Sequence, residues 1–222
     1  MIAEVMHGPY RLHMSLIQMQ HDDDDGLSLR DVSSVVLKGV NLSVGKGQGR
    51  AIVGPSGSGK TSLFRAISDL DPNTGRVALG LHDREAMAAP EWRRRVAYVP
   101  AEPAWWLQLA GDHADAEARS LAGSFGLDET LLLKPVSTLS TGERQRLALA
   151  IAFARKPDVL LLDEPTSALD DDNRHDVEAA ILSHVAGGGI LLIASHDKGQ
   201  LERLALEEIH IEYGALVNEG RA

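Results

Sequence analysis

The residues with the plainest chemistry are Gly54, Pro55, Ser56, Gly57, Ser58, Gly59, Lys60 and Thr61, which spell GxxxxGK[ST], with Ser62 next in line. Ala51-Ile52-Val53 reads as a short buried strand running into this loop, and Leu63, Ile67 and Leu70 recur at helical spacing after it. A polyphosphate needs many backbone N–H donors at close range, and glycine lets the chain wrap that tightly. The helix start adds partial positive charge. In such a loop Lys60 reaches the outer phosphates of a nucleoside triphosphate, and the Thr61 hydroxyl is a ligand for Mg²⁺. A second group follows the apolar run Val159 to Leu162: the carboxylates Asp163 and Glu164. That run suits a central parallel strand buried on both faces. Acids at the C-terminal edge of an open parallel sheet stand where such sheets bind ligands. Asp163 is therefore the second candidate metal residue, and Glu164 the candidate general base that polarises a water.

The elements that must hold these residues alternate along the chain. Leu27 and Leu29, and then Val40, Leu42 and Val44, alternate with polar residues as half-buried strands do. Asp71 to Gly75 is a turn, Val77 and Leu79 begin another strand, and Val96 to Val99 is a buried strand closed by Pro100. Residues 101–156 are rich in Ala, Leu and charge and read as a mainly helical subdomain, with Leu147, Ile151 and Ala154 on one face of its last helix. Val177, Ile181 and Val185 mark a helix ending at Gly187-Gly188-Gly189, Ile190 to Ile193 is the next central strand, and Ile209, Ile211 and Tyr213 alternate on an expected edge strand. Strands alternating with helices imply an α/β fold on a parallel sheet. Residues 1–26 read as a flexible lead-in with a solvated acidic run, His21 to Gly26, and Met14 is a second candidate start.

Composition narrows the function. The net charge of -10 argues against a nucleic-acid groove, which needs a Lys/Arg surface. The chain has no Cys, which removes disulfide and thiolate chemistry, and no apolar run long enough to span a bilayer.

The segment Leu139-Ser140-Thr141-Gly142-Glu143-Arg144-Gln145-Arg146 resembles the signature motif of ATP-binding cassette (ABC) ATPases, usually spelled LSGGQ. It precedes the acidic strand at that family's usual spacing. Ser167-Ala168-Leu169-Asp170 resembles the family's D-loop, and His196 in Ala194-Ser195-His196-Asp197 resembles its switch histidine. The resemblance covers about residues 27–215 and implies a P-loop NTPase core with a mainly parallel sheet, an antiparallel β subdomain and an inserted helical subdomain. It implies ATP and Mg²⁺ as cofactors, with Lys60, Glu164 and His196 in hydrolysis. It also implies that Ser140 and Gly142 hold the γ-phosphate of the ATP bound to an opposing ATPase subunit, as a homodimer or a heterodimer. The implied partner is a separate transmembrane permease subunit, and the implied location is the cytoplasmic face of the inner (plasma) membrane, peripherally held. Relatives that act on DNA or ribosomes usually carry a long coiled coil or two cassettes, and this chain carries neither. A third reading is a partner that binds ATP without hydrolysing it.

The chain departs from that pattern at three places. Thr141 and Glu143 replace Gly and Gln of the signature. The family's Gln after the strand ending at Val99-Pro100 is matched by Ala101, with Glu102 next, which bears on the rate of hydrolysis. The family stacks adenine on an aromatic residue upstream of the phosphate loop. Here no Phe, Tyr, Trp or His stands between Asp22 and Lys60, so an aliphatic surface around Ser33–Val36 is expected to take the base. Trp105 and Trp106 follow the Ala101 segment. They read either as core of the helical subdomain or as an anchor for the membrane subunit.

Overall fold

The computed structural model describes residues 25–217, so the lead-in expected over 1–26 lies outside the described residues except for its last two. Alternation builds the first sheet. β1 (Leu27–Ser33) pairs antiparallel with β2 (Val40–Val44) on one side and with β4 (Thr74–Leu79) on the other, and β5 (His82–Asp83) extends that edge. Between β2 and β4 come β3 (Gly49–Val53) and α1 (Lys60–Ile67).

β3 belongs to a second, six-stranded sheet of order β10-β9-β3-β8-β7-β6. Its members are β6 (Val96–Val99), β7 (Val159–Asp163), β8 (Ile190–Ala194), β9 (Glu207–Glu212) and β10 (Ala215–Val217). All neighbours run parallel except the hairpin β9–β10. Every residue of β7 and β8 is buried, and the two faces serve different cores. Val159, Leu161, Ile190 and Leu192 join a cluster with Leu27, Leu29, Leu63, Phe64 and Ile67, which packs the antiparallel sheet and α1 on one face. Leu160, Leu162, Leu191 and Ile193 join the other cluster, with Leu147, Ala150, Val177 and Ile181 from the helices. Each such side chain contributes roughly 1.5–3 kcal/mol by leaving water, which is why uninterrupted aliphatic runs sit at the sheet centre.

Before β6, α2 (Ala89–Arg95) buries Trp92, whose indole N–H donates to Ile67 O at 2.8 Å. The stretch 101–109 contains no helix. Then come α3 (Ala116–Ser124), α4 (Glu129–Leu132) and α5 (Thr141–Ala154), capped by Asp115, Asp128 and Ser140. α3 packs against α5, and the small side chains Ala118, Ala122 and Ala150 are buried in one core there. After β7 comes α6 (Asp171–Ala186), and after β8 comes α7 (Lys198–Arg203), joined to α6 by a two-pronged Arg203–Glu178 ion pair.

Two elements differ from the sequence reading. α1 ends at Ile67, because the Ser68 hydroxyl donates to Phe64 O and Asp69 turns left-handed (φ 56), so Leu70 falls beyond the helix and is exposed. β9 is not an edge strand: it lies between β3 and β10, and Tyr213 stands in the hairpin turn after it. Alternation alone could not show this, since β10 is only three residues long.

Candidate functional site

Parallel strands carry their following loops to one edge. β3 ends in the glycine loop, β7 at Asp163 and β8 at Ala194, with β8 between the other two. The pocket at this edge has a volume of about 450 Å³ and is lined by Ser56 through Ser62, Asp163, Glu164, His196, Val36 and Ala101. A larger groove of about 620 Å³ beside Lys156 and His184 lies at the opposite ends of β7 and β8, next to Asp158 and Gly189, away from the glycine loop and Asp163.

The glycines of the loop are required by space. A Cβ on Gly54 would stand 2.2 Å from Ile211 O, and Gly59 adopts φ 116 at the start of α1. No side chain caps α1, so its first N–H groups are left to the pocket. Lys60 is buried, and its ammonium donates to Gly54 O at 2.7 Å and Pro55 O at 3.1 Å. Among the described residues the buried Ser58 hydroxyl has no hydrogen-bond partner.

Thr61 and Asp163, 102 positions apart, meet in a 2.6 Å hydrogen bond from the Thr61 hydroxyl to Asp163 Oδ2. The Tyr98 hydroxyl donates to the same oxygen at 3.4 Å. Burial first, and the Asp163 charge second, hold the Tyr98 phenol far above its ordinary range, so it remains a donor. Glu164 follows in a left-handed conformation (φ 50), with its N–H donating to Ala194 O at 2.8 Å. Such a conformation costs a non-glycine residue about 1–3 kcal/mol and is concentrated at functional positions. Glu164 Oε2 accepts from His196 N–H at 3.4 Å, while Oε1 lies 3.6 Å from His196 Nε2 and is buried without a hydrogen bond. Burial raises the Glu164 carboxyl above its ordinary range, against the opposing pull of the His196 N–H. A carboxylate oxygen so placed can accept a proton from a water in the pocket.

Ser140 and Gly142 do not line this pocket; they stand at the start of α5. There Ser140 Oγ accepts from Glu143 N–H at 3.2 Å, and Glu143 Oε2 accepts from Ser140 N–H at 2.6 Å. This capping box gives the Glu at position 143 a local role. The Ser140 N–H holds the Glu143 carboxyl below its ordinary range. A Cβ on Gly142 would come within 2.6 Å of Ala168 O, so the glycine lets α5 approach the segment 167–170.

Tyr98 escaped the sequence reading, which also gave no separate role to Gln145 of the signature segment. Gln145 is buried in α5, and its amide donates to Pro100 O at 3.4 Å, tying that helix to the residue before Ala101. Tyr98 belongs to no local motif, and the tie from Gln145 to Pro100 spans 45 positions, so nothing short-range marks either contact. The two tryptophans divide: Trp105 packs against the helical core and Trp106 is 77% exposed, each edge-on to His113.

The ABC transporter family model matches residues 37–167. Protein STAR1 of Oryza sativa subsp. japonica is 38% identical over 184 residues, which are 77% of this chain and 53% of that protein. The L-cystine import ATP-binding protein TcyN of Bacillus subtilis (strain 168) is 31% identical over 209 residues, 83% of this chain and 80% of that protein. The chain spans about half the length of several curated relatives it matches. The fold is shared with the dimeric structure of a post-hydrolysis state of the ATP-binding cassette MJ0796 bound to ADP and Pi. That similarity has a TM-score of 0.75 at 23% identity, over 86% of this chain and 97% of that one. The chain belongs to the ABC transporter family.

Proposed function

We propose that this chain binds and hydrolyses ATP to drive transport through a separate transmembrane permease subunit. The observation that carries the reading is the meeting of Lys60, the Thr61–Asp163 pair and the unpartnered Glu164 Oε1 in one pocket. The amides of Gly54–Ser62 and the Lys60 ammonium hold the polyphosphate. Lys60 exchanges its carbonyl partners, Gly54 O and Pro55 O, for phosphate oxygens. Glu164 orients the attacking water and takes its proton, and His196 contacts the γ-phosphate.

The Thr61 hydroxyl and Asp163 carboxylate fit Mg²⁺, which takes a small number of protein oxygens and completes its shell from phosphates and water. Bound there, the ion neutralises charge developing on the phosphates. The resemblance assigns Ser140 and Gly142 to an ATP held by an opposing ATPase subunit, in a homodimer or heterodimer, and their place outside the pocket of their own chain agrees with that role.

Residues 27–222 form the ATPase domain, with the helical subdomain at about 101–156. A groove of about 420 Å³ beside Trp106, Leu70 and Arg93 takes a helix of the permease on the cytoplasmic face of the membrane. Among the described residues no helix is long and apolar enough to cross a membrane.

The test is calorimetric binding of Mg-ATP to wild type and Lys60→Ala. Loss of the charged contact is expected to weaken binding about tenfold to a hundredfold, or about 1.4–2.8 kcal/mol. Equal affinity of the two proteins contradicts the placement of the phosphates.

A further inference from the structure

The lining of the pocket is uneven. The phosphate loop gives it one polar side, the acids and His196 another, and Val36 is its one long aliphatic side chain. No aromatic residue occurs from Gly26 through Thr61 to cover a base beside Val36. On this side the β9–β10 hairpin lies against the phosphate loop and the Val36 backbone. Gly214 N–H donates to Ser58 O within the phosphate loop at 2.9 Å, and Lys38 N–H donates to Gly214 O at 2.8 Å. A Cβ on Gly214 would stand 1.8 Å from Val36 O, and one on Gly59 would stand 3.4 Å from Gly214 Cα. The hairpin turn is therefore wedged between the phosphate loop and the β1–β2 connection, at the rim of the pocket.

The residue at that turn is Tyr213, which is 83% exposed. Tyr213 and Gly214 both have positive φ, 49° and 82°. A two-residue hairpin turn of this kind favours Asn, Asp or Gly at its first position, where a bulky side chain is strained. An aromatic residue held there, with its ring in water rather than in the core, is costly for the fold alone and needs another explanation.

We propose that Tyr213 is the platform on which the nucleobase stacks, covering the base from the side opposite the aliphatic edge of Val36. The inference rests on the nucleotide reading of the phosphate loop and adds to it the recognition of the base. Stacking on a single ring is tolerant of base identity, so the ligand class is a nucleoside triphosphate without sharp choice between bases. Its position after the phosphate loop in sequence explains why no upstream aromatic is needed.

The experiment is isothermal titration of Mg-ATP, and separately of Mg-tripolyphosphate, which has no base, into the full chain as wild type, Tyr213→Ala and Tyr213→Trp. Tyr213→Ala is expected to weaken ATP about fivefold to fiftyfold and to leave tripolyphosphate within about twofold. Tyr213→Trp is expected to keep ATP affinity, and its added indole fluorescence to be quenched by ATP and not by tripolyphosphate. The side chain is exposed, so the fold should tolerate both changes, which thermal melting of each variant checks. ATP binding by Tyr213→Ala equal to wild type, or an equal loss for both ligands, overturns the platform. Failure of the wild-type chain to bind either ligand overturns the nucleotide reading, and the platform with it.

Discussion

Ala101 brings a methyl group to a pocket whose other contributors from strand ends are Asp163, Glu164 and His196. Glu102, beside it, is exposed and does not line the pocket. With Glu164 as the proposed base, a side-chain amide at position 101 would both donate to and accept from the attacking water; a methyl group would leave that water less preorganised, and preorganisation is the main source of rate in phosphoryl transfer. Ala101→Gln is therefore expected to raise steady-state ATP turnover about threefold to thirtyfold, or about 0.6–2 kcal/mol of barrier, with Mg-ATP affinity nearly unchanged. Unchanged or lower turnover would mean that another group already orders the water. At this scale the sequence is informative where chemistry is local. Gly54 to Thr61 can be read because phosphate binding demands a fixed order of residues, and position 101 because it follows β6 directly. The contacts of Tyr98 and Gln145 could not be read, since each reaches a residue distant in the chain, Asp163 and Pro100.

The elements that support the site are held by alternating cores and by caps. α6 returns to the sheet through His184, whose Nε2 donates to Ile190 O at 3.2 Å at the start of β8. Gly189 has no room for a side chain there, since a Cβ would meet the imidazole at 2.3 Å. Burial lowers the affinity of His184 for a proton below its ordinary value of 6.5, outweighing the bond to Ile190 O and the charge of Asp158. As pH falls through that ordinary value, the unfolded chain takes up a proton that the folded chain refuses, so stability is lost until pH reaches the lower folded value. His184→Gln retains a donor for Ile190 O and cannot titrate. It should reduce the drop in melting temperature between about pH 7.5 and about pH 5.5. An identical drop in both proteins would exclude His184 as a source of acid sensitivity. The central strands β7 and β8 were plain in sequence because a strand buried on both faces must be apolar throughout. β9 was misplaced to an edge because its partner β10 is too short to show a pattern, and the turn between them carries a tyrosine where a small polar residue is usual.

Over the whole molecule, the phosphate-binding edge and the Ser140 end of α5 are separate surfaces of one chain, and Gly142 fixes the latter against Ala168. Among the described residues a single copy thus carries the phosphate-loop pocket and, apart from it, the signature surface, and two copies facing each other would complete two sites. In the proposed arrangement ATP would join the subunits and its hydrolysis would part them, with Glu164 as the residue that separates binding from turnover. The direct measurement is steady-state ATP hydrolysis, Mg-ATP affinity and sedimentation mass for wild type and Glu164→Gln. The substituted amide is expected to lower turnover about 10²–10⁴-fold, to retain Mg-ATP binding, and to shift the chain with ATP to a stable species of about twice the mass. Hydrolysis by Glu164→Gln at the wild-type rate would contradict the assignment of Glu164 as the base.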